Sequence, residues 1–158
     1  MMKKSNLTAF LRICVTAALY VALTLVIAPL SYGALQFRIS EVLTLLCFFK
    51  KDYCYALILG CFISNLFSPL GALDLVFGVA STVFTVVGMR YVKNIWTASV
   101  FPALSMVFIG WELVYIGLPF WYSFFTAALG EIGVVTVIGV PLFKVLEKNR
   151  FFNETVLK

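Results

Sequence analysis

The sequence contains no histidine, which excludes imidazole acid–base chemistry and imidazole metal ligation. Charge is also scarce: Asp, Glu, Lys and Arg make up 12% of the residues, against roughly 25% in soluble domains. No G-x-x-x-x-G-K-[ST], H-E-x-x-H or G-x-S-x-G motif occurs. Walker-type ATP hydrolysis, zincin chemistry and nucleophile-elbow hydrolysis therefore have no support, and an enzyme is not expected. The four cysteines, Cys14, Cys47, Cys54 and Cys61, form no C-x-x-C pair. They lie in or beside apolar runs, where a thiol acts as a small hydrophobe, so no metal site and no cofactor are expected. Linkers, low-complexity tracts, a soluble domain and a convincing internal repeat are missing too. The missing repeat weakens an inverted-repeat secondary transporter.

What is present is apolar: 63% of 158 residues. The length suits one domain, spanning 1–158, and the composition is that of an all-α integral membrane protein. A crossing helix needs about 20 apolar residues. Six runs meet or approach this, at 10–30, 36–49, 53–67, 70–92, 95–118 and 120–143, the second being the shortest. The Met-Met-Lys-Lys start and first run resemble a signal peptide. No A-x-A-like site ends that run, and it reads as a retained helix.

Lysine and arginine order these runs. Lys3, Lys4, Arg12, Lys50, Lys51, Arg90, Lys93, Lys144, Lys148, Arg150 and Lys158 fall at the termini or in alternate gaps, and the other gaps hold only Arg38. By the positive-inside rule both termini are cytoplasmic, as expected for a bacterial cell membrane. The basic residues form a rim rather than one face. They fit anionic lipid better than nucleic acid.

Four of seven carboxylates lie toward the opposite side: Glu41, Asp74, Glu112 and Glu131. Glu131 sits about 16 Å into the sixth run, at 1.5 Å per residue. Asn65 joins them from the third. Ionisable groups inside a membrane are costly and are candidates for function. Five helices thus bring polar groups to one half, which reads as a cup open to the outside rather than a through-channel. Asp74 could equally cap the fourth helix, and Glu41 could pair with Arg38. Glu112 and Glu131 have no nearby cation in sequence, which favours function. Tyr32, Phe37, Trp111, Tyr115, Trp121 and Tyr122 cluster at the same level, as ligand walls or as an interfacial belt. Cys14, Ala18 and Ala22 make a small-residue stripe with an A-x-x-x-A motif, suited to close helix approach within the chain or with a partner.

Three stretches carry a resemblance: ALYVALTLVIAPLSYGALQFRISEVLTLL (18–46), ISNLFSPLGALDLVFGVAST (63–82), and WELVYIGLPFW (111–121) followed by Gly130-Glu131. With them the chain resembles the QueT family of substrate-binding S components of energy-coupling factor (ECF) transporters. The resemblance implies a six-transmembrane-helix S-component fold. It implies partnership with a transmembrane coupling subunit, reached through Ala18 and Ala22, and with two cytosolic ATPase subunits. It implies uptake of a queuosine precursor, such as 7-aminomethyl-7-deazaguanine or a related deazaguanine base. The chemistry suits the residues. A guanine-like edge offers adjacent N–H donors to one carboxylate, and an aminomethyl cation needs a second. Glu112 and Glu131 are expected in these roles, in either order. Trp111, Tyr115, Trp121 or Tyr122 would supply walls. Asn65 or Arg38 would meet the carbonyl, and Arg38 with Glu41 would order the loop above.

Three other readings remain open. A proton-coupled secondary carrier would use Glu131 as its proton site. An S component for another vitamin or nucleobase would suit the same residues. A scaffold binding no solute would bear the desolvation of four acids for no purpose.

Overall fold

A computed structural model describes residues 4–32 and 37–157. Among these residues every regular element is helical. Helix α1 covers Lys4–Val26. It breaks at Ile27, and α2 (Ala28–Ser31) restarts with Pro29 in its first turn. Proline has no N–H and crowds the carbonyl four residues back, so the run cannot continue straight. A 3₁₀ segment, Ile39–Leu45, leads into α3 (Leu46–Phe49). Next come α4 (Lys51–Asn65) and α5 (Ala72–Met89). Gly71 at φ +56° makes the tight entry to α5, a conformation that costs glycine little. Helix α6 (Ile95–Ala98) is capped by the Asn94 side chain, which accepts from Trp96 N–H at 3.0 Å. It is jointed at Ser99 to α7 (Val100–Val114).

Helix α8 (Phe120–Glu131) continues through a π-helical stretch, Ile132–Gly139, into α9 (Val140–Lys148). Pro141 cannot donate to the carbonyl of Val137, and the ladder widens over the residues before it. The last elements are α10 (Arg150–Phe152) and a π turn, Asn153–Leu157.

Four segments are long and apolar enough to cross a membrane: Leu7–Val26, Ala72–Met89, Ile95–Val114 and Phe120–Lys148. The runs expected at 36–49 and 53–67 are shorter. Ile39–Phe49 is a short apolar helix. The 15 residues of α4 reach only about 23 Å at 1.5 Å per residue, and Lys51-Asp52 occupies its first turn. Six full-length crossings are therefore not what the helix lengths give.

The segments nevertheless close a ring. Helix α1 packs on α4, α4 on α5, α5 on α7, and α7 on α8; the π stretch beyond α8 packs on the 3₁₀ segment, which returns to α1. The outer surface is apolar, with Val26, Val76, Leu129 and Val137 each more than 60% exposed. That inversion of the soluble pattern identifies a multi-pass membrane protein. Inside the ring, one cluster joins Leu45, Leu57, Met89, Val134, Val135, Val140 and Phe143 toward the basic end. The polar residues occupy the other end.

Candidate functional site

Every element of the ring except α1 and the π stretch brings one of the expected ionisable or amide groups inward. The six polar candidates are all at least nine-tenths buried: Arg38 and Glu41 at the 3₁₀ segment, Asn65 on α4, Asp74 on α5, Glu112 on α7 and Glu131 on α8. The cup that the sequence suggested is open is thus closed around them. Tyr32 contributes to that closure. Its hydroxyl donates to the Ser64 carbonyl at 2.6 Å, and its ring lies 5.2 Å from the Arg38 guanidinium.

Arg38 is held by backbone and by charge. Its Nε donates to the Ser31 carbonyl at 3.1 Å, and Nη2 stands 3.8 Å from Asp74 Oδ1. The Ser31 hydroxyl in turn donates to the Thr24 carbonyl at 3.0 Å, which ties α2 to α1. The expected Arg38–Glu41 pair is not the one formed: Arg38 pairs with Asp74, and Glu41 accepts the buried Tyr20 hydroxyl. A 3₁₀ turn puts residues three apart on one face, but Arg38 precedes that turn in an extended conformation and reaches across the ring instead.

Asp74 stands in the first turn of α5, where the helix dipole favours an acid. No side-chain cap bond forms at the start of α5. Its Oδ2 accepts from Ser68 Oγ in the preceding turn, while Oδ1 has no hydrogen-bond donor. Asn65 Nδ2 donates to the Asp74 carbonyl at 2.8 Å, and Asn65 Oδ1 is left without a donor. Gly78, one turn along α5, makes room: a Cβ there would stand 2.3 Å from Asn65 Nδ2.

Glu112 has both carboxylate oxygens buried with no donor, and Glu131 has Oε2 in the same state. Glu112 comes from α7, which packs on α5, the helix that carries Asp74. Glu131 ends α8, next to the π stretch that packs on the 3₁₀ segment of Glu41. Four carboxylates are thus buried, and of them Asp74 is ion-paired with Arg38. Buried polar atoms are nearly always satisfied in native proteins, so these orphaned oxygens are costly to the chain on its own.

The aromatic candidates lie elsewhere. Trp111, Tyr115, Trp121 and Tyr122 are 55–70% exposed. Trp111 leans on Phe120, with ring centroids 5.2 Å apart, and Tyr115 on Phe77 at 5.8 Å. As placed, they sit on the outer surface of α7, α8 and the turn between them and do not enclose the acids. Amphipathic rings favour the membrane interface, which is where such exposure suits them. Sequence reasoning missed Tyr20, Thr24 and Ser40. Tyr20 is fully buried, and Thr24 Oγ1 meets Ser40 Oγ at 2.7 Å. The signal was available: Thr16, Tyr20 and Thr24 recur every four residues in the otherwise apolar stretch 13–26 of α1. Ala18, Ala22 and Cys14 lie on another face and are exposed, beside Leu59 and Ile63 of α4. They are not consumed by packing within the chain. Among the described residues no cluster of three or more Cys, Asp or Glu has the arrangement of a metal site.

Comparison with known proteins gives two matches. The model of the family described as QueT transporter matches residues 10–148. A protein of Lactococcus lactis subsp. cremoris (strain MG1363), named queuosine precursor transporter QueT, is 35% identical over 147 residues, covering 82% of this chain and 87% of that one. No solved structure matches the chain.

Proposed function

Since the chain belongs to the QueT transporter family, we propose that it is the substrate-capture S component of an ECF-type importer and that it takes up a queuosine precursor. The observation that carries the reading is the set of buried, donor-less oxygens on Asp74, Glu112, Glu131 and Asn65, contributed by four different helices. A 7-aminomethyl-7-deazaguanine base offers what they need: a cationic amine and a row of N–H donors. Glu112 and Glu131 receive these groups, Arg38 or Asn65 meets the ring carbonyl, and Glu41 with Asp74 holds the surroundings. Flat contact comes from Tyr20, whose hydroxyl donates to Glu41, and Tyr32, whose ring faces Arg38, in place of the exposed tryptophans and tyrosines.

The short segments Ile39–Phe49 and Lys51–Asn65 complete six crossings of a thin or locally adapted bilayer, with the basic end and both termini in the cytoplasm. The apolar cluster of Leu45, Leu57, Met89, Val134 and Phe143 lies beneath the polar site. It blocks a direct path to the basic end. Delivery inward then requires the whole body to reorient, which suits an S component moved by a coupling subunit docked at Ala18 and Ala22, with ATP hydrolysis in two cytosolic subunits.

The test is equilibrium binding of 7-aminomethyl-7-deazaguanine to the purified chain in detergent, with queuine, guanine and riboflavin as competitors. Tight binding that guanine and riboflavin fail to displace is expected. A folded sample that does not bind refutes the substrate assignment. Uptake into proteoliposomes by the chain alone, driven by a pH gradient, would replace the S-component reading with a proton-coupled carrier centred on Glu131.

A further inference from the structure

Arg38 and Asp74 face each other across a gap that the chain does not close. Arg38 Nη2 stands 3.8 Å from Asp74 Oδ1, beyond the roughly 2.7–3.2 Å of an N–H···O bond. Both atoms are buried, and among the described residues neither has a hydrogen-bond partner. A buried ion pair offsets its desolvation only when its geometry is good and its other donors and acceptors are met. Here the direct bond is missing, although a closer approach of less than an ångström would make it.

The gap is held open from both sides. Arg38 Nε donates to the Ser31 carbonyl at 3.1 Å, and the guanidinium lies 5.2 Å from the centre of the Tyr32 ring. Asp74 Oδ2 accepts from Ser68 Oγ, which leaves Oδ1 as the free oxygen. The backbone of Asp74 is fixed as well. Its carbonyl accepts from Asn65 Nδ2 at 2.8 Å, and the turn into its helix passes through Gly71 at φ +56°. One donor and one acceptor are therefore left side by side. The group that completes both must itself accept and donate through neighbouring atoms. A lactam edge does this, with a ring carbonyl next to a ring N–H. Its oxygen and nitrogen are about 2.2 Å apart, from the bond lengths of an amide. Two hydrogen bonds that splay slightly outward from such an edge end on atoms farther apart than that, as Nη2 and Oδ1 are.

We propose that Arg38 and Asp74 together read the lactam edge of the ligand, Nη2 donating to the ring carbonyl and Oδ1 accepting from the adjacent ring N–H. The inference rests on the substrate reading above and makes it more specific. Asp74 moves from the surroundings of the site into contact, and Arg38 rather than Asn65 meets the carbonyl. Glu112 and Glu131 keep their oxygens for the exocyclic amine and the aminomethyl group. The pair then filters rings by polarity. Where the carbonyl is replaced by an amine, the neighbouring N–H becomes a bare nitrogen. A donor then faces Arg38 and an acceptor faces Asp74, and both buried charges lose their partners. Guanine-type rings pass, whereas adenine-type and 2,6-diamino rings fail.

The experiment is equilibrium binding of two ligands to the detergent-purified chain. One is 7-aminomethyl-7-deazaguanine. The other is its 2,6-diamino counterpart, in which only the lactam edge is changed. The wild type should bind the diamino ligand at least about a hundredfold more weakly, since two charge-assisted hydrogen bonds are lost. Asp74→Asn keeps the shape, and its amide can donate to the bare ring nitrogen, so the ratio of the two affinities should fall at least about tenfold. Equal affinities in the wild type leave the gap to a bridging water; they overturn the proposal whatever the variant does, and the substrate reading stands. A folded Asp74→Asn protein that weakens both ligands by the same factor gives Asp74 a structural role and also overturns the proposal. No binding of either ligand by the folded wild type overturns the substrate reading, and the inference with it.

Discussion

Gly78→Ala tests whether the seat of Asn65 is as tight as the structure has it. The added Cβ would stand 2.3 Å from Asn65 Nδ2. An ordinary contact distance of about 3.5 Å requires the amide to move by roughly an ångström. That movement breaks the 2.8 Å bond to the Asp74 carbonyl. Leaving a buried acceptor unpaired costs about 1–3 kcal/mol, while alanine in a helix returns up to about 1 kcal/mol relative to glycine. The net expectation is a loss of about 1–2 kcal/mol in stability, read by thermal unfolding in detergent. If the amide also meets ligand, affinity falls by about tenfold, the equivalent of one hydrogen bond. The background variant Asn65→Ser separates cause from correlation. With the long amide gone, Gly78→Ala should be neutral or mildly stabilising, a coupling within the 0.5–3 kcal/mol typical of residues in contact. A Gly78→Ala protein as stable as the wild type, or a penalty that persists unchanged in the Asn65→Ser background, would refute this account of the α4–α5 contact.

Glu131→Gln removes the charge while keeping the shape, and equilibrium binding should weaken by at least about tenfold, the value of one charge-assisted hydrogen bond; unchanged affinity takes Glu131 out of the site. Tyr20→Phe leaves the buried Glu41 carboxylate without its hydroxyl donor, so thermal stability should fall by about 1–3 kcal/mol. Trp121→Ala and Tyr115→Ala remove rings that are 66% and 70% exposed, and binding in detergent should change by no more than about twofold, as for surface positions in general; a large loss would return these rings to the pocket wall. Trp at Ala18 or Ala22 should leave solitary binding intact and abolish energy-dependent uptake in the reconstituted complex, because a bulky ring prevents close helix approach there.

Some of this site was readable one residue at a time. Glu41, Asp74, Glu112, Glu131 and Asn65 stood out because a charge or amide in an apolar run is costly, even where a cap or a local pair offered another role, and all five are buried. The pairings were not readable in the same way. Arg38 sits three residues from Glu41 in sequence but pairs with Asp74, thirty-six positions away. Only ring closure decides that choice, through the extended backbone at Arg38 and the packing of the 3₁₀ segment between α1 and the π stretch. The aromatics misled for a related reason. A tryptophan near a helix end scores the same whether it faces ligand or lipid, and composition carries no sense of rotation about the helix axis. Tyr20 shows the converse: among apolar neighbours its ring looks like filler, and only the four-residue spacing with Thr24 betrays a polar face. Helix ends do not coincide with the ends of apolar runs. The run through 120–143 continues as helix to Lys148, because the π stretch absorbs Pro141 instead of ending there.

Helices α5 and α7 carry two kinds of buried polar group, and the difference between them argues for the site independently of any relative. Ser105 Oγ donates to the Pro102 carbonyl at 2.7 Å and lies 2.8 Å from Ser81 Oγ and 2.9 Å from Thr85 Oγ1. A hydroxyl has one donor and two acceptor positions, and here all three are used within the protein. Thr82 likewise returns its hydroxyl to the Gly78 carbonyl at 3.1 Å. These groups hold helices together and ask nothing of a ligand. On the same two helices, Asp74 and Glu112 leave three oxygens without donors. Both sets face the same interior, so burial alone does not explain why one is complete and the other is not. Had α5 and α7 needed only cohesion, hydroxyls like Ser105 would have served without the desolvation of a carboxylate. The acids are retained where their oxygens remain available, which is the condition for binding a donor that arrives from outside the chain.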